Sequence, residues 1–234
     1  MKLSVIIPAY NEANRISKPL LETAKYLTNT FPDFEIIVSN DGSTDNTLEV
    51  VQELSKTISE LRLISYDQNK GKGYAIKQGI EAATGDILLF ADADGATPIE
   101  QTEQLIAPIL NGKADISIGT RYDENSEIVK KQPTYRVVWS RLSNKVIQSL
   151  LLPGIKDPHC GFKAFKRDVA KDIFSKSNIN GWSFDLEILA LAQKANYSIT
   201  EIPVQWIHDE ESKGRLRHLP QEIKSVIQIK KMIG

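Results

Sequence analysis

The first half of the chain alternates short apolar runs with longer amphipathic segments. Apolar runs that end at Gly, Pro, Asn or Asp predict strands, at Leu3–Pro8, Glu35–Ser39, Arg62–Tyr66, Asp86–Ala91 and Asp115–Gly119. Helical spacing predicts helices between them, at Glu12–Thr30, Thr44–Lys56, Lys72–Ala83 and Pro98–Asn111. Thr97 is the expected N-cap of the last helix and Pro98 its first residue. Strands that alternate with helices imply an α/β fold with a mainly parallel central sheet and flanking helices.

The second half has a less regular pattern. It predicts helices at Thr134–Leu152, Ser183–Lys194 and Pro220–Ile233, and strands at Gly161–Lys166 and Thr200–Trp206. The last strand suits a sheet edge, because Pro203 has no N–H to donate to a neighbouring strand. No change of composition separates the two halves, so we expect a single domain over residues 1–234.

The composition is that of an ordinary globular protein. Of its 234 residues, 41% are hydrophobic and 25% charged, and the formal net charge of −1 gives no support for nucleic-acid binding. The only cysteine, Cys160, excludes an internal disulfide and fits a reducing compartment. No apolar stretch approaches the roughly 18 residues that a membrane span needs. We therefore expect a cytoplasmic protein whose membrane contact, if any, is peripheral on the cytoplasmic face.

A pair of carboxylates follows the fourth predicted strand. Asp92 and Asp94 stand two residues apart within Gly85–Thr97, and residues with that spacing on an extended chain point the same way. Ligands of open α/β sheets bind at the carboxyl ends of the strands. Converging carboxylates repel each other unless a cation lies between them, and oxygen ligands suit a hard divalent cation that also binds substrate phosphates. The alternative is that both are solvated turn residues.

Polar segments also follow the first two predicted strands. Pro8–Glu12 offers a rigid backbone and the Tyr10 ring to a flat base, and Asp41 can accept hydrogen bonds from a base or a ribose. The alternatives are a proline that merely ends a strand and ordinary turn chemistry, for which Asp-Gly-Ser is common.

Two cationic segments complete the set. Asn69–Gly73 contains two glycines that allow close backbone approach, and Lys70 and Lys72 offer charge to a diphosphate. Its spacing is neither that of a dinucleotide fingerprint nor that of a P-loop, so a solvated basic loop is the alternative. Arg121 follows the fifth strand, where it can bind a phosphate through two parallel hydrogen bonds or form an ordinary surface ion pair.

In this order and at these strand ends, the segments resemble the family 2 glycosyltransferases, the inverting nucleotide-sugar enzymes of the A-type fold. The resemblance covers the first half and continues to about residue 213. Two segments look like the polyprenyl-phosphate branch, namely Asp157–Lys163 and Gly181–Glu187. Others look most like dolichyl-phosphate glucose synthases, namely Ala91–Thr97, Ile202–Trp206 and Ser212–Lys213. Mannose synthases usually carry a glutamine near the position of Ala96, which favours the glucose branch.

The resemblance implies a nucleotide-diphospho-sugar transferase domain in which residues 1–121 bind the nucleotide-sugar and residues 122–234 the acceptor. It assigns substrate contacts to Pro8, Ala9, Tyr10, Glu12, Asp41, Lys72 and Asp92. It assigns Mg²⁺ or Mn²⁺ to Asp92 and the catalytic Asp94. Arg121 and Arg136 match positions that hold the acceptor phosphate, and Asp185 stands where other family members place a base.

The implied reaction moves a hexose, expected to be glucose from UDP-glucose, to a polyprenyl or dolichyl phosphate. Such an acceptor, with a second pKa of roughly 6, is mostly dianionic at neutral pH. Asp185 therefore need not act as a base, and the alternative for Asp185 and Glu187 is a solvated or salt-bridged helix face. Mannosyl transfer from GDP-mannose and transfer to a soluble acceptor are the alternatives within this class.

Two rival classes stay open. A sugar-phosphate nucleotidyltransferase also uses a parallel sheet and a metal, but it usually has a Gly-rich loop after its first strand, where this chain has Pro8–Ala13 and no glycine. A nucleotide-sugar-binding module without activity is the non-enzyme alternative.

A membrane surface is the expected peripheral partner, through the helix predicted at Thr134–Leu152. Its apolar stripe consists of Tyr135, Val138, Trp139, Leu142, Val146 and Leu150. The stripe either packs on the sheet or lies in a membrane interface, with Arg141 facing away from it. Trp182 and Trp206 are expected in the core or at its rim.

Overall fold

The computed structural model describes residues 1–130, 143–207 and 219–233. Its strands are β1 (Leu3–Ala9), β2 (Phe34–Asp41), β3 (Leu61–Tyr66), β4 (Ile87–Ala91), β5 (Ile116–Thr120), β6 (Glu127–Lys130), β7 (Phe162–Lys166), β8 (Ile199–Pro203) and β9 (Gln205–Ile207). Its labelled helices are α1 (Ser17–Thr30), α2 (Thr47–Ser55), α3 (Lys72–Ala82), α4 (Thr102–Leu110), α5 (Arg167–Lys176), α6 (Phe184–Lys194) and α7 (Leu219–Ile233). Residues 143–150 are also helical.

The central sheet has seven strands in the order β3-β2-β1-β4-β7-β5-β8. Only β7 runs antiparallel to its two neighbours among these strands, and the other pairs are parallel. β7 comes from the second half of the chain and lies between β4 and β5 of the first half, so one sheet passes through both halves. β6 and β9 form a separate parallel pair. The predicted α/β fold with a mainly parallel sheet is confirmed.

Two apolar layers cover the two faces of the sheet. Successive residues of β1 point to opposite faces, so Val5 and Ile7 pack with α1, α2 and α4, while Ile6 packs with α3, α5, α6 and α7. Every residue of β1 is buried, which explains why its sequence reads as a continuous apolar run. Because both faces are covered, the polar residues gather at the ends of the strands.

Three helices begin several residues later than the sequence pattern predicts, and one of them is α2, which begins at Thr47 rather than Thr44. α1 begins at Ser17 rather than Glu12, because a helix from Glu12 would place Pro19 in its interior, where proline removes a hydrogen bond. The predicted helix at Pro98 is also wrong at its start. Pro98 has ψ of 135°, which is extended, and a short 3₁₀ turn precedes α4. Thr97 therefore does not act as the predicted N-cap.

The structure divides the strand predicted at Thr200–Trp206 into β8 and β9. β8 lies at the edge of the central sheet, as Pro203 predicts. The sequence pattern did not identify β6 or α5, although the buried residues Val169, Ala170, Ile173 and Phe174 give α5 helical spacing. α5 follows β7 without a connecting loop, so no turn residues mark its start.

The helix predicted at Thr134–Leu152 falls only partly within the described residues. Its visible part buries Ile147 and Leu151, whereas Val146 and Leu150 are 40% and 44% exposed. The described end of the predicted apolar stripe therefore faces outward instead of packing on the sheet. None of the helices over residues 1–130, 143–207 and 219–233 has the length and apolar character to cross a membrane.

Candidate active site

The two predicted metal carboxylates lie together at the carboxyl end of β4. The backbone N–H of Asp92 donates to the carbonyl of Gly161 at 3.1 Å, and Asp94 Oδ1 accepts the N–H of Ala96 at 3.0 Å. Burial, and then repulsion by Asp92, raises the pKa of Asp94 to about 6. The two charges therefore interact, as expected if Asp92 and Asp94 converge on one point.

Lys72, the first residue of α3, lies against the same carboxylates. Its Nζ is 2.6 Å from Asp92 Oδ1. Burial alone would lower the pKa of Lys72, but attraction to Asp92 and then to Asp185 outweighs burial, and the pKa of Lys72 lies above its ordinary value. Lys72 is therefore a fixed positive charge that compensates Asp92 and leaves Asp94 the less neutralised of the two.

The carboxylates supply part of a coordination shell for a divalent cation. Across the described ranges, no group of three or more His, Cys, Asp or Glu side chains is arranged to hold a metal ion. The remaining ligands would have to come from substrate oxygens or water, as is usual for Mg²⁺ bound beside substrate phosphates. The raised pKa of Asp94 reflects burial and then repulsion by Asp92, and a cation would relieve that repulsion. The oxygen donors present thus fit Mg²⁺ or Mn²⁺.

Gly161, immediately before β7, makes room for the Asp92 carboxylate. A Cβ atom at Gly161 would lie 2.0 Å from Asp92 Oδ2 and 2.3 Å from Asp92 Cγ. Because the glycine also accepts the N–H of Asp92, it fixes both the backbone and the side chain of that residue. Sequence reasoning placed Gly161 in a family motif but gave it no role.

Replacing Gly161 with alanine is expected to lower metal-dependent turnover at least tenfold, on the order of the loss caused by a misplaced catalytic group. The added methyl must displace the Asp92 carboxylate, while circular dichroism should show an intact fold. Gly181→Ala is the matched control, since a Cβ atom there meets nothing within 4 Å. Parent-like turnover in Gly161→Ala would contradict the role that we give to this contact.

The loops after β1 and β2 are joined by hydrogen bonds. The N–H of Asn11 donates to Ser43 Oγ at 3.0 Å, and the N–H of Glu12 donates to Thr47 Oγ1 at 2.8 Å. Glu12 is buried and forms an ion pair with Arg15. Of the residues predicted there to contact the nucleotide, Pro8 and Ala9 are buried in β1 and Tyr10 exposes its ring.

Asp41, at the end of β2, holds the loop that leads into α3. Its two carboxylate oxygens accept the N–H groups of Lys70 and Gly71 at 2.8 and 2.9 Å. The glycines of this loop pack closely against the backbone of the segment before α6. The close approach of a ligand is therefore not the only reason for glycine at these positions. A Cβ atom at Gly71 would lie 2.4 Å from the carbonyl oxygen of Asn180, which also accepts the N–H of Gly73 at 2.7 Å. Asp41 therefore positions Lys72 indirectly, by fixing the residues before it.

Arg121 follows β5 and forms a buried ion pair with Asp157. Its Nε and Nη2 donate to the two carboxylate oxygens of Asp157, each at 2.8 Å, and its backbone N–H donates to the same carboxylate at 2.9 Å. Burial by itself raises the pKa of Asp157, but Arg121 outweighs it and lowers that pKa. The arginine also stacks near Trp206, with its Cζ 5.3 Å from the ring centroid. Arg121 is thus in an ion pair, as in the alternative to phosphate binding, but the pair is buried and not on the surface. Arg136 lies outside the described residues.

Asp185, the candidate base, is salt-bridged in the core. Lys163 Nζ lies 2.5 Å from Asp185 Oδ1 and also donates to the carbonyl of Cys160 at 2.6 Å. Lys163 therefore occupies one oxygen of the Asp185 carboxylate. Glu187 is buried rather than solvated, and it accepts the N–H of Ile179 at 2.7 Å. Both acidic residues therefore have structural partners.

The fold and the site define an α/β protein with a pair of interacting carboxylates, Asp92 and Asp94, at the carboxyl end of β4. Residues 4–174 match the family model Glycosyl transferase family 2. The chain belongs to this family, which confirms the resemblance described above.

Individual proteins with more than a third of their aligned residues identical to this chain cover 90% or more of it. The dolichyl-phosphate beta-glucosyltransferase of Dictyostelium discoideum is 38% identical over 222 residues, which are 90% of this chain and 68% of that protein. The dolichyl-phosphate beta-glucosyltransferase of Saccharomyces cerevisiae is 36% identical over 231 residues, which are 92% of this chain and 69% of that protein.

A solved structure confirms the predicted A-type fold. The glucosyl-3-phosphoglycerate synthase of Mycobacterium tuberculosis, crystallised with Mn²⁺, uridine diphosphate and glucosyl-3-phosphoglycerate, superposes with a TM-score of 0.72 at 20% identity. The match covers 99% of this chain and 79% of that chain.

Proposed function

We propose that the protein is an inverting hexosyltransferase that moves glucose from UDP-glucose to a dolichyl or related polyprenyl phosphate, with Mg²⁺ or Mn²⁺. The relatives that cover 90% or more of the chain support the acceptor and the sugar, since they carry the name dolichyl-phosphate beta-glucosyltransferase. The observation that carries the proposal is the group formed by Asp92, Asp94 and Lys72 at the end of β4. It combines two metal-binding carboxylates with one fixed cation, which suits a nucleoside diphosphate leaving group.

The donor side of the reaction needs stabilisation of negative charge. The leaving diphosphate gains charge as the bond to the anomeric carbon breaks, and a bound divalent cation supplies electrostatic stabilisation to it. Asp92 and Asp94 would hold that cation. Lys72 holds its proton firmly, so it acts as a constant positive charge and not as an acid or base.

The acceptor side needs positioning more than proton removal. A phosphate monoester with a second pKa of roughly 6 is already mostly dianionic at neutral pH. The scheme therefore needs no base, and Asp185 is instead held in a buried ion pair with Lys163. Arg121 donates its Nε–H and one Nη2–H to Asp157. In our proposal, the other N–H donors of the Arg121 guanidinium bind the acceptor phosphate.

The proposal is tested by incubating the protein with UDP-glucose, a short polyprenyl phosphate and Mg²⁺ or Mn²⁺, with mass detection of the glycolipid. Replacing UDP-glucose by GDP-mannose tests the other hexose, and 3-phosphoglycerate tests a soluble acceptor. Pyrophosphate released from glucose 1-phosphate and UTP would instead indicate a nucleotidyltransferase. Nucleotide-sugar binding without product on any acceptor would indicate a binding module and refute the proposal.

We also propose peripheral contact with an anionic membrane, which would bring the lipid acceptor to the site. Two described surfaces support it. The half-exposed Val146 and Leu150 offer apolar side chains, and α7 buries Ile229 while it exposes Lys230 and Lys231. Basic residues near an anionic surface contribute about 1 kcal/mol each, and salt screens them.

In sedimentation with anionic vesicles, the protein is therefore expected to bind at low salt and dissociate at high salt. The double substitution Lys230→Gln with Lys231→Gln is expected to weaken binding by roughly 2 kcal/mol at low salt. Neutral vesicles are the control for charge. Parent protein that stays in the supernatant with anionic vesicles at low salt would contradict this contact.

A further inference from the structure

Trp182 combines an exposed side chain with a firmly held backbone. Trp182 is 54% exposed and lies in the short segment that leads into α6. On one side, the carbonyl of Asn180 accepts the N–H groups of Gly73 and Tyr74 at 2.7 and 3.3 Å. On the other side, the N–H of Phe184 donates to the carbonyl of Gly181 at 3.2 Å. The ring is thus presented to solvent from a backbone that is pinned to the start of α3.

The indole also lies beside the charged centre of the site. Lys72 Nζ is 5.4 Å from the centroid of the Trp182 ring and 2.6 Å from Asp92 Oδ1. A cation at that distance is attracted to the face of an indole, so Lys72 fixes the ring next to its own ion pair. Single exposed apolar residues are common on proteins and need no explanation. What distinguishes Trp182 is that it borders the carboxylate and the lysine that serve the donor.

We propose that Trp182 is a sugar-binding wall, against which the hexose of the donor packs with its C–H face while Asp92 and Lys72 bind its hydroxyl groups. This inference rests on the function proposed above. A hexose matches this surface because one side of its ring carries C–H groups of slight positive charge and its rim carries hydroxyls. The electron-rich face of an indole complements the C–H side of the sugar, and a carboxylate beside an ammonium complements its hydroxyl groups. The exposed ring of Tyr10, after β1, leaves a separate aromatic surface for the base.

Because Trp182 would contact the sugar and not the nucleotide, its replacement should weaken the binding of UDP-glucose more than the binding of UDP. Calorimetry in the presence of Mg²⁺ measures how tightly the parent, Trp182→Phe and Trp182→Leu each bind UDP and UDP-glucose. Leucine keeps an apolar side chain without a π face, and phenylalanine keeps a smaller π face. We expect Trp182→Leu to weaken UDP-glucose binding about tenfold and UDP binding less than about twofold. Trp182→Phe should fall between Trp182→Leu and the parent.

Tryptophan fluorescence gives a second readout. UDP-glucose should change the emission of the parent more than UDP does. That extra change should vanish in Trp182→Phe, which retains Trp139 and Trp206. Circular dichroism establishes that both variants keep the fold.

The other outcomes separate this inference from the proposed function. Equal weakening of UDP and UDP-glucose in Trp182→Leu would mean that the ring only positions Lys72, and it would overturn the sugar-binding role. Unchanged binding of both ligands would overturn it as well. If the parent bound neither UDP nor UDP-glucose, the proposed function itself would fail, and the inference with it.

Discussion

Replacing Asp94 with asparagine is expected to reduce metal-dependent turnover by at least a hundredfold, on the order of the loss seen when one transition-state stabilising group is removed. Asp94 is the less compensated carboxylate of the pair, because Lys72 lies 2.6 Å from Asp92. Asparagine keeps an oxygen that can accept the N–H of Ala96 but lacks the negative charge that attracts a divalent cation. Stability should change little, whereas the affinity for Mg²⁺ or Mn²⁺ in the presence of UDP should fall steeply.

The pKa of Asp94 predicts how metal binding depends on pH. Burial and Asp92 raise that pKa to about 6, so Asp94 gains a proton as the pH falls through 6. A cation binds the ionised carboxylate and must displace that proton. The affinity for metal should thus be constant above about pH 7 and fall about tenfold for each pH unit well below 6. Calorimetric titration at a series of pH values measures it.

Asp86→Asn is the matched control for this variant. Asp86 precedes the same strand at its opposite end and is exposed, with an ion pair to Arg167 at 2.8 Å. Exposed pairs of this kind contribute little to stability, so the control should keep the parent's metal dependence. If Asp94→Asn kept the parent's metal-dependent turnover, the assignment of Asp94 as a metal ligand would be wrong.

Replacing Arg121 with alanine is expected to destabilise the fold by about 3–5 kcal/mol, because it leaves a buried carboxylate without its partner. Asp157 has 0% of its side chain exposed and receives three hydrogen bonds from Arg121. Thermal or urea unfolding measures the loss. Loss of activity in this variant therefore cannot by itself identify a residue that binds the acceptor.

Arg121→Lys separates the acceptor role from the structural one. Lysine keeps a positive charge beside Asp157 but lacks the planar fork that binds two oxygens. If Arg121 also binds the acceptor phosphate, this variant should raise the KM for polyprenyl phosphate about tenfold or more, since a charged hydrogen bond contributes roughly 1.5–3 kcal/mol, and leave UDP binding unchanged. Parent-like kinetics in a stable Arg121→Lys protein would restrict Arg121 to its ion pair with Asp157.

Local sequence signals were sufficient for most of the elements that form the site. Each strand of the first half was placed by its apolar run, and the carboxylates were placed by their position after β4. Besides the missed β6 and α5, two of the errors lie at prolines. Pro98 suited the first turn of a helix but adopts an extended conformation, and Pro19 moved the start of α1 to Ser17. The extended conformation of Pro98 depended on packing that the local pattern does not record, whereas Pro19 limits α1 through its missing N–H, which the sequence does show.

The sequence by itself determined the fold class, the family and the strand end that carries Asp92 and Asp94, because hydrophobic period and motif order are local properties. Only the tertiary structure decided which charges meet. Lys72 with Asp92, Arg121 with Asp157 and Lys163 with Asp185 are ion pairs between residues distant in the chain. The insertion of β7 between β4 and β5, which no local pattern encodes, places Lys163 in the sheet and brings the segment before β7, with Asp157, to the end of β5. The exposure of Trp182 beside Lys72 is likewise a tertiary property, because packing of the segment before α6 against α3 decides which face of that segment meets solvent.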